Sequence, residues 1–341
     1  MPAPMPAAAL TGWICSRPFD WLEIQRGGTA FVCCPAWLRR SIGNVLHQPL
    51  PAVWNSATAI ELRKNASNGR FHGCSPRRCP FLARRQPPVM PAAAAPVPLR
   101  QALQQRDYQQ PLPGQLHLCY DPRCNLVCAS CRPAPVQLDR AEADGCERLT
   151  RLVLDQLAPQ VRQLRLSGHG EPFAAPSYRQ LLAAIGPRHF PALHSLHLHS
   201  NGLLWLSQRQ HLLPRLRPYL RSVEISIDAA SPASYRCNRG ADFAQLLDNL
   251  AFIHSLQVDL TLSFVVQHNN FREMPAFVDL ARLFGARCFF SPLINWGSWT
   301  TAEYRQRAVH RPQHPQQGEF LQVLAQISQQ AGVDIGVLGQ G

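Results

Sequence analysis

Ser222-Val-Glu-Ile-Ser-Ile-Asp228 alternates apolar and polar residues along its whole length, the period of a strand that buries one face. Val223, Ile225 and Ile227 form one row; Glu224, Ser226 and Asp228 form the other. Strands of a parallel barrel are ordinarily apolar on both faces. A polar row turned inward persists only if something polar occupies the interior. Leu196 and Leu198 alternate with His197 and His199 in the same way. A solvent-facing or edge sheet is the other reading of this pattern.

Further strands are expected near 115–119, 162–167, 194–198, 222–227, 258–265 and 287–291. Helical faces follow several of them: Phe243, Leu246, Leu247, Leu250 and Ile253, then Met274, Phe277, Leu280, Ala281 and Phe284, which end at Gly285. Phe320, Leu324 and Ile327 mark a last helix. Strands alternating with helices imply an α/β fold with a parallel sheet. Six such units fit a partial (β/α)6 relative of the eight-unit TIM barrel, open rather than closed.

The segment Pro87-Pro-Val-Met-Pro-Ala-Ala-Ala-Ala-Pro-Val-Pro98 reads as a semi-rigid linker. The expected organisation is a small cysteine-rich unit at 11–84, a Pro/Ala-rich linker at 85–107 and the barrel at 108–335. The first part has little apolar periodicity, and small units of this kind commonly use a metal to compensate.

The chain holds 34 Lys and Arg against 21 Asp and Glu, a net charge of +13. Lys64 is its only lysine and the arginines are scattered, which speaks for compositional bias rather than for a nucleic-acid surface. No apolar run reaches membrane-spanning length, and Met1–Leu10 lacks a basic n-region. A soluble, cytoplasmic protein is expected, with no membrane partner.

Twelve cysteines in grouped positions, in a long chain without an export signal, suit metal binding better than disulfides. Cys124-Asn-Leu-Val-Cys128-Ala-Ser-Cys131 puts three thiols directly after the 115–119 strand. Three ligands leave one coordination position open, which favours a cubane iron-sulfur cluster over structural zinc. In the first quarter Cys15, Cys33, Cys34, Cys74 and Cys79 stand together, with a structural zinc as the alternative. Cys119, Cys146, Cys237 and Cys288 read as buried or inert thiols, and His194, His197 and His199 as ordinary hydrogen-bonded histidines.

Taken in order, Cys124-x3-Cys128-x2-Cys131, Ser167-Gly-His-Gly-Glu-Pro172, Ser200-Asn-Gly202 and Ser226-Ile-Asp228, each near a strand end, resemble the radical S-adenosylmethionine (SAM) enzymes over about residues 112 to 330. The resemblance implies that Cys124, Cys128 and Cys131 bind a 4Fe-4S cluster to which SAM chelates. Gly168, Gly170 and Glu171 would meet the methionine ammonium, glycine allowing close approach. Ser226 would contact the ribose, with Asp228 beside it and Ser200 and Asn201 following the third strand. Arg239, with Arg236 as competitor, would lie near the SAM carboxylate. Where the family usually has an aromatic residue beside adenine stands Ser130; Tyr120 and Phe173 are the candidates for that contact.

Cys15-Ser-Arg-Pro-Phe19, Gly28-Thr-Ala-Phe-Val-Cys-Cys-Pro35, Ile42-Gly-Asn44, Val53-Trp-Asn-Ser56 and Cys74 through Cys79-Pro80 resemble the SPASM or twitch domain of these enzymes. That implies one auxiliary 4Fe-4S cluster on Cys15, Cys33, Cys74 and Cys79, with Cys34 as substitute for Cys33 because adjacent strand residues face opposite sides.

The activity implied is reductive cleavage of SAM to a 5′-deoxyadenosyl radical that abstracts hydrogen, with a peptide or protein substrate and an external donor such as flavodoxin or ferredoxin. Asn295-Trp-Gly-Ser-Trp299 is read either as lining the substrate mouth or as a packed aromatic loop, and Asp228, Glu224 and Tyr304 are acid-base candidates by position. A nucleic-acid or small-metabolite substrate and a non-catalytic iron-sulfur or zinc protein are the alternatives.

Overall fold

The computed structural model describes residues 12–76 and 78–338; the opening segment Met1–Leu10 lies outside them. Two compact units form. The first comprises the chain up to Asp121 with Leu138–Arg165 and Ala184–His194; the second comprises Pro122–Gln137, Leu166–Ala183 and the chain from Ser195 onward. Among the described residues no helix is long and apolar enough to cross a membrane.

In the first unit β1 (Trp13–Cys15), β2 (Trp21–Gln25), β3 (Thr29–Phe31) and β4 (Gly43–Asn44) are followed by β5 (Val89–Pro91), β6 (Gln115–Cys119) and β7 (Gln163–Leu166). The order across its main sheet is β7-β6-β2-β3-β4. β2 runs parallel to β6, with Trp21 opposite Gln115 and Glu23 opposite His117. Leu22, Ile24, Leu116 and Leu118 are wholly buried on one face of that pair. The cysteine-rich part therefore supplies the strand that pairs with the first strand expected of the barrel.

Residues 85–107, expected to be a linker, are ordered structure instead. Val89 to Pro91 pairs antiparallel with β1, and Val97–Gln105 is a helix. The prolines fall where they are tolerated: Pro91 ends a strand, and Pro98 sits in the first turn of the helix, where the missing N–H costs nothing. Ala92, Ala95, Leu99 and Leu103 then join Ile14, Phe19 and Ala66 in one core cluster. Alanine is small enough to let these segments approach closely, which composition alone had made look like a spacer.

Arg63, wholly buried in the helix Ala57–Ser67, ties this unit together. Its Nε donates to Pro18 O (2.9 Å), Nη2 to Trp54 O (2.8 Å), and Nη1 to Asn55 Oδ1 (2.8 Å) and Tyr108 O (2.9 Å). The guanidinium also lies 4.4 Å from the Trp54 ring centroid, so a buried charge is both solvated by carbonyls and stacked.

The second unit holds β8 (Ser195–Ser200), β9 (Leu220–Ser226), β10 (Asp259–Val266), β11 (Arg287–Pro292) and β12 (Val333–Asp334). They pair in that order, and every pairing is parallel. Helices Phe243–Ser255, Met274–Leu283 and Gln317–Ile327 lie where the apolar periodicity put them, and Gly285 has a φ of 59° after the second. The α/β class with a parallel sheet is the one the alternation implied. Val223, Ile225 and Ile227 are wholly buried; from the opposite row Ser226 and Asp228 line a cavity and Glu224 does not.

Candidate functional site

Three strands of the second unit deliver a polar group to a cavity of about 260 Å3: β8 brings Ser200, β9 Ser226 and β11 Ser291, while β10 adds Val265. After β9 the chain turns at Asp228, whose φ is 60°, a conformation that Asp adopts more readily than most residues. Its carbonyl accepts from Asn238 Nδ2 (2.8 Å) and Asn270 Nδ2 (3.0 Å), and its Oδ1 accepts from Val265 N (2.7 Å). Its Oδ2 is 3.1 Å from Arg239 Nη1.

Arg239 ends the helix Pro232–Arg239. The start of that helix is fixed by Glu273, whose oxygens accept from Ala230 N (2.6 Å), Ser231 Oγ (2.8 Å) and Ser234 Oγ (2.6 Å), a carboxylate where the helix dipole favours one. Burial disfavours the Arg239 charge, but the neighbouring Cys128 and Asp228 outweigh it and hold its pKa above the usual guanidinium value. Arg236, one turn earlier in the same helix, is exposed and does not line the cavity.

Glu171 is almost wholly buried. Ser200 Oγ donates to both of its oxygens (2.9 and 3.1 Å), Asn201 N to Oε2 (2.8 Å) and Phe173 N to Oε1 (3.3 Å). Desolvation nevertheless outweighs these donors and raises its pKa to about 7. Gly168 and Gly170 before it have φ values of 136° and 89°, which glycine alone adopts without strain. Gly202 is constrained by space as well: with φ +86°, a Cβ there would meet Leu246 Cδ1 at 2.8 Å and Ile225 Cγ2 at 2.9 Å.

Cys124, Cys128 and Cys131 line the same cavity with Gly168, Gly170, Glu171, Ser200, Asn201, Ser226, Asp228 and Arg239. All three thiols and all eight polar or glycine positions expected from the sequence thus meet in one place. Asn201 Nδ2 lies 3.6 Å from Cys124 Sγ. Arg132 directs Nε and Nη2 at Cys131 Sγ (3.3 and 3.2 Å) while Nη1 binds Pro122 O (2.7 Å), donors that suit a thiolate. Burial raises the pKa of both Cys124 and Cys128, so a cation or cluster is needed to hold them ionised.

Several cavity residues were not legible beforehand. His199 lines the site and joins Ser226 Oγ (2.7 Å), which in turn contacts Ser263 Oγ (3.2 Å). Arg132 gave no signal beyond its neighbour Cys131. Neither Tyr120 nor Phe173 reaches the cavity: Tyr120 is buried with its hydroxyl 2.8 Å from Thr150 Oγ1, and Phe173 packs edge-on against Trp205. Leu126, Val265, Leu293 and Ile294 supply the apolar lining instead, and Trp296, 69% exposed, stands at its rim. Tyr304 is engaged through its hydroxyl with Leu293 O.

In the first unit Cys15, Cys33, Cys74 and Cys79 line one small cavity with Trp37, Leu62 and His72. Burial pushes Cys15 up to about 11 and Cys74 to about 12. Cys34 is absent from that lining.

Residues 15–80 match the SPASM family, an iron-sulfur cluster-binding domain. Over 209 residues the chain is 28% identical to the PqqA peptide cyclases of Methylorubrum extorquens (strain PA1) and Methylorubrum populi, covering 59% of this chain and 50% of each of them. Its amino-terminal part is thus similar to SPASM iron-sulfur domains, and the chain as a whole is similar to radical SAM proteins that carry one. The chain spans about half the length of the curated relatives it matches. Its structure overlaps Streptococcus suis SuiB bound to the precursor peptide SuiA with a TM-score of 0.41 at 13% identity, over 65% of this chain and 48% of that one.

Proposed function

We propose that the second unit binds a 4Fe-4S cluster and SAM and uses them to modify a peptide or protein. The observation that carries this reading is the convergence of three thiols, a buried carboxylate and a buried guanidinium on one cavity. Cys124, Cys128 and Cys131 would hold the cluster, and three ligands leave one iron free. The reduced cluster, when bound, supplies the electron that cleaves SAM to methionine and a 5′-deoxyadenosyl radical able to abstract hydrogen.

The chain's own residues orient and exclude. Glu171, held by Ser200 and Asn201, presents a carboxylate for the methionine ammonium. Arg239, held by Asp228, presents a cation for the carboxylate. Ser226 and His199 offer hydroxyl and imidazole to the ribose, and the lining of Leu126, Val265, Leu293 and Ile294 keeps water from the reacting atoms.

Cys15, Cys33, Cys74 and Cys79 would hold the auxiliary cluster. The peptide class is supported by the named activity of the cyclase relatives, and Trp296 at the cavity rim offers an apolar contact for such a substrate. An external electron donor of the flavodoxin or ferredoxin type and a cytoplasmic location complete the proposal.

Anaerobic reconstitution with iron and sulfide, then SAM and dithionite, tests it. 5′-Deoxyadenosine should appear, and it should vanish in the Cys124/Cys128/Cys131→Ala variant. Absence of SAM cleavage in reduced, cluster-loaded protein would leave a non-catalytic cluster protein.

A further inference from the structure

The parallel pairing of β2 and β6 sets Glu23 directly opposite His117. Cys119 lies two residues on, hence on the same face. Ligand-capable atoms of Glu23, His117 and Cys119 all fall within 4.8 Å of one another. His117 Nδ1 is 3.2 Å from Glu23 Oε2, and Nε2 is 3.2 Å from Cys119 Sγ. A tetrahedral zinc with Zn–N of about 2.0 Å and Zn–S of about 2.3 Å sets its nitrogen and sulfur ligands about 3.5 Å apart, close to the Nε2–Sγ separation; one ion takes one ring nitrogen, so Glu23, now beside Nδ1, must turn its carboxylate to reach the same ion, within the 4.8 Å that spans the three ligand atoms.

We propose that Glu23, His117 and Cys119 form a zinc site, separate from both cysteine clusters. Charge and donor chemistry support it. The Glu23 carboxylate is 2% exposed; Gln25 Nε2 donates to Oε1 at 2.6 Å, while Oε2 accepts no hydrogen bond of good geometry. A buried carboxylate and a buried thiol flank the His117 ring, donors that a metal ion would share with the imidazole in place of its proton. Imidazole, thiolate and carboxylate together form the mixed donor set that borderline-soft Zn2+ takes.

Trp21 packs edge-on over the His117 ring with centroids 5.6 Å apart, holding its plane. The same three groups could also serve as a hydrogen-bonded thiol–imidazole–carboxylate chain that activates a nucleophile. Cys119 is 4% exposed, and such burial favours a structural ion over a nucleophile.

The test uses full-length protein with its iron-sulfur clusters reconstituted, then loaded with Zn2+, dialysed against a weak chelator and analysed for zinc and iron separately. About one zinc per chain is expected in the parent, at least a fivefold loss in Cys119→Ser and Glu23→Gln, and unchanged iron. No zinc in the parent, or zinc retained in both variants, overturns the site. Should the variants fail to fold, zinc-edge X-ray absorption of the parent decides: a mixed sulfur and nitrogen/oxygen shell upholds the site, and an all-sulfur shell overturns it. Iron content and SAM cleavage report on the cluster proposal independently.

Discussion

Asp228 and Arg239 form a buried ion pair at 3.1 Å, and each is fixed from elsewhere: Asp228 by Val265, Asn238 and Asn270, Arg239 by the helix that Glu273 anchors. Removing one partner leaves the other charged and desolvated. Asp228→Ala should lower unfolding free energy by about 3 kcal/mol, measured by denaturant titration. Adding Arg239→Ala should restore part of that loss, because the uncompensated charge goes with it. SAM binding by calorimetry should weaken at least about tenfold in either single variant.

Glu171 gives a pH dependence with a defined sign. Its pKa is raised to about 7 by burial, and only the carboxylate attracts an ammonium. SAM affinity should therefore fall as pH drops below 7, approaching about tenfold per pH unit, and Glu171→Gln should abolish the slope. Ligand-free stability should move the other way. The folded state takes up this proton before the unfolded state does, so this group favours folding increasingly as pH falls from 7 toward 4.5.

The two adjacent cysteines of the first unit should behave differently. Cys33 lines the cavity with Cys15, Cys74 and Cys79, whereas Cys34 does not. After reconstitution, Cys33→Ala should lose about four irons per chain. Cys34→Ala should keep them; equal losses would refute the assignment.

Arg63 has four acceptors within 2.9 Å. Arg63→Ala strands the carbonyls of Pro18, Trp54 and Tyr108 and should cost about 3 to 5 kcal/mol in thermal or urea unfolding. Lysine should not rescue it, since an ammonium cannot reproduce the planar fork.

Gly202→Ala should destabilise by about 1 to 3 kcal/mol, because positive φ and contacts below 3.0 Å act together. The neighbouring Asn201 should shift with it, which is read as weaker SAM binding.

The second unit was legible because its signals are local. Alternation in Leu196–Ser200 and Ser222–Asp228 fixes which side chains share a face, and the cysteine triplet and Gly168–Glu171 are contiguous, so strand ends brought them together without long-range information. What stayed hidden depends on pairing across distance. Nothing near Glu23 announces that His117 will stand opposite it. Nor could the run from Pro87 to Pro98 reveal that its alanines would be buried against Ile14 and Phe19. Arg132 and His199 became recognisable only when Cys131 and Ser226 were seen beside them.

The first unit is assembled from three separate stretches of chain, and its β2 waits for β6 far downstream. From Glu23 to His117 is 117 − 23 = 94 residues. At about 5 to 20 residues per second of synthesis, that edge stays open for roughly 5 to 20 s. An unpaired edge with buried-type residues such as Leu22 and Ile24 is a template for wrong partners. Cutting the gene at residues 85–107 would make that interval permanent: a fragment ending there lacks β6 altogether, and would need a chaperone or a second copy to cover the exposed strand.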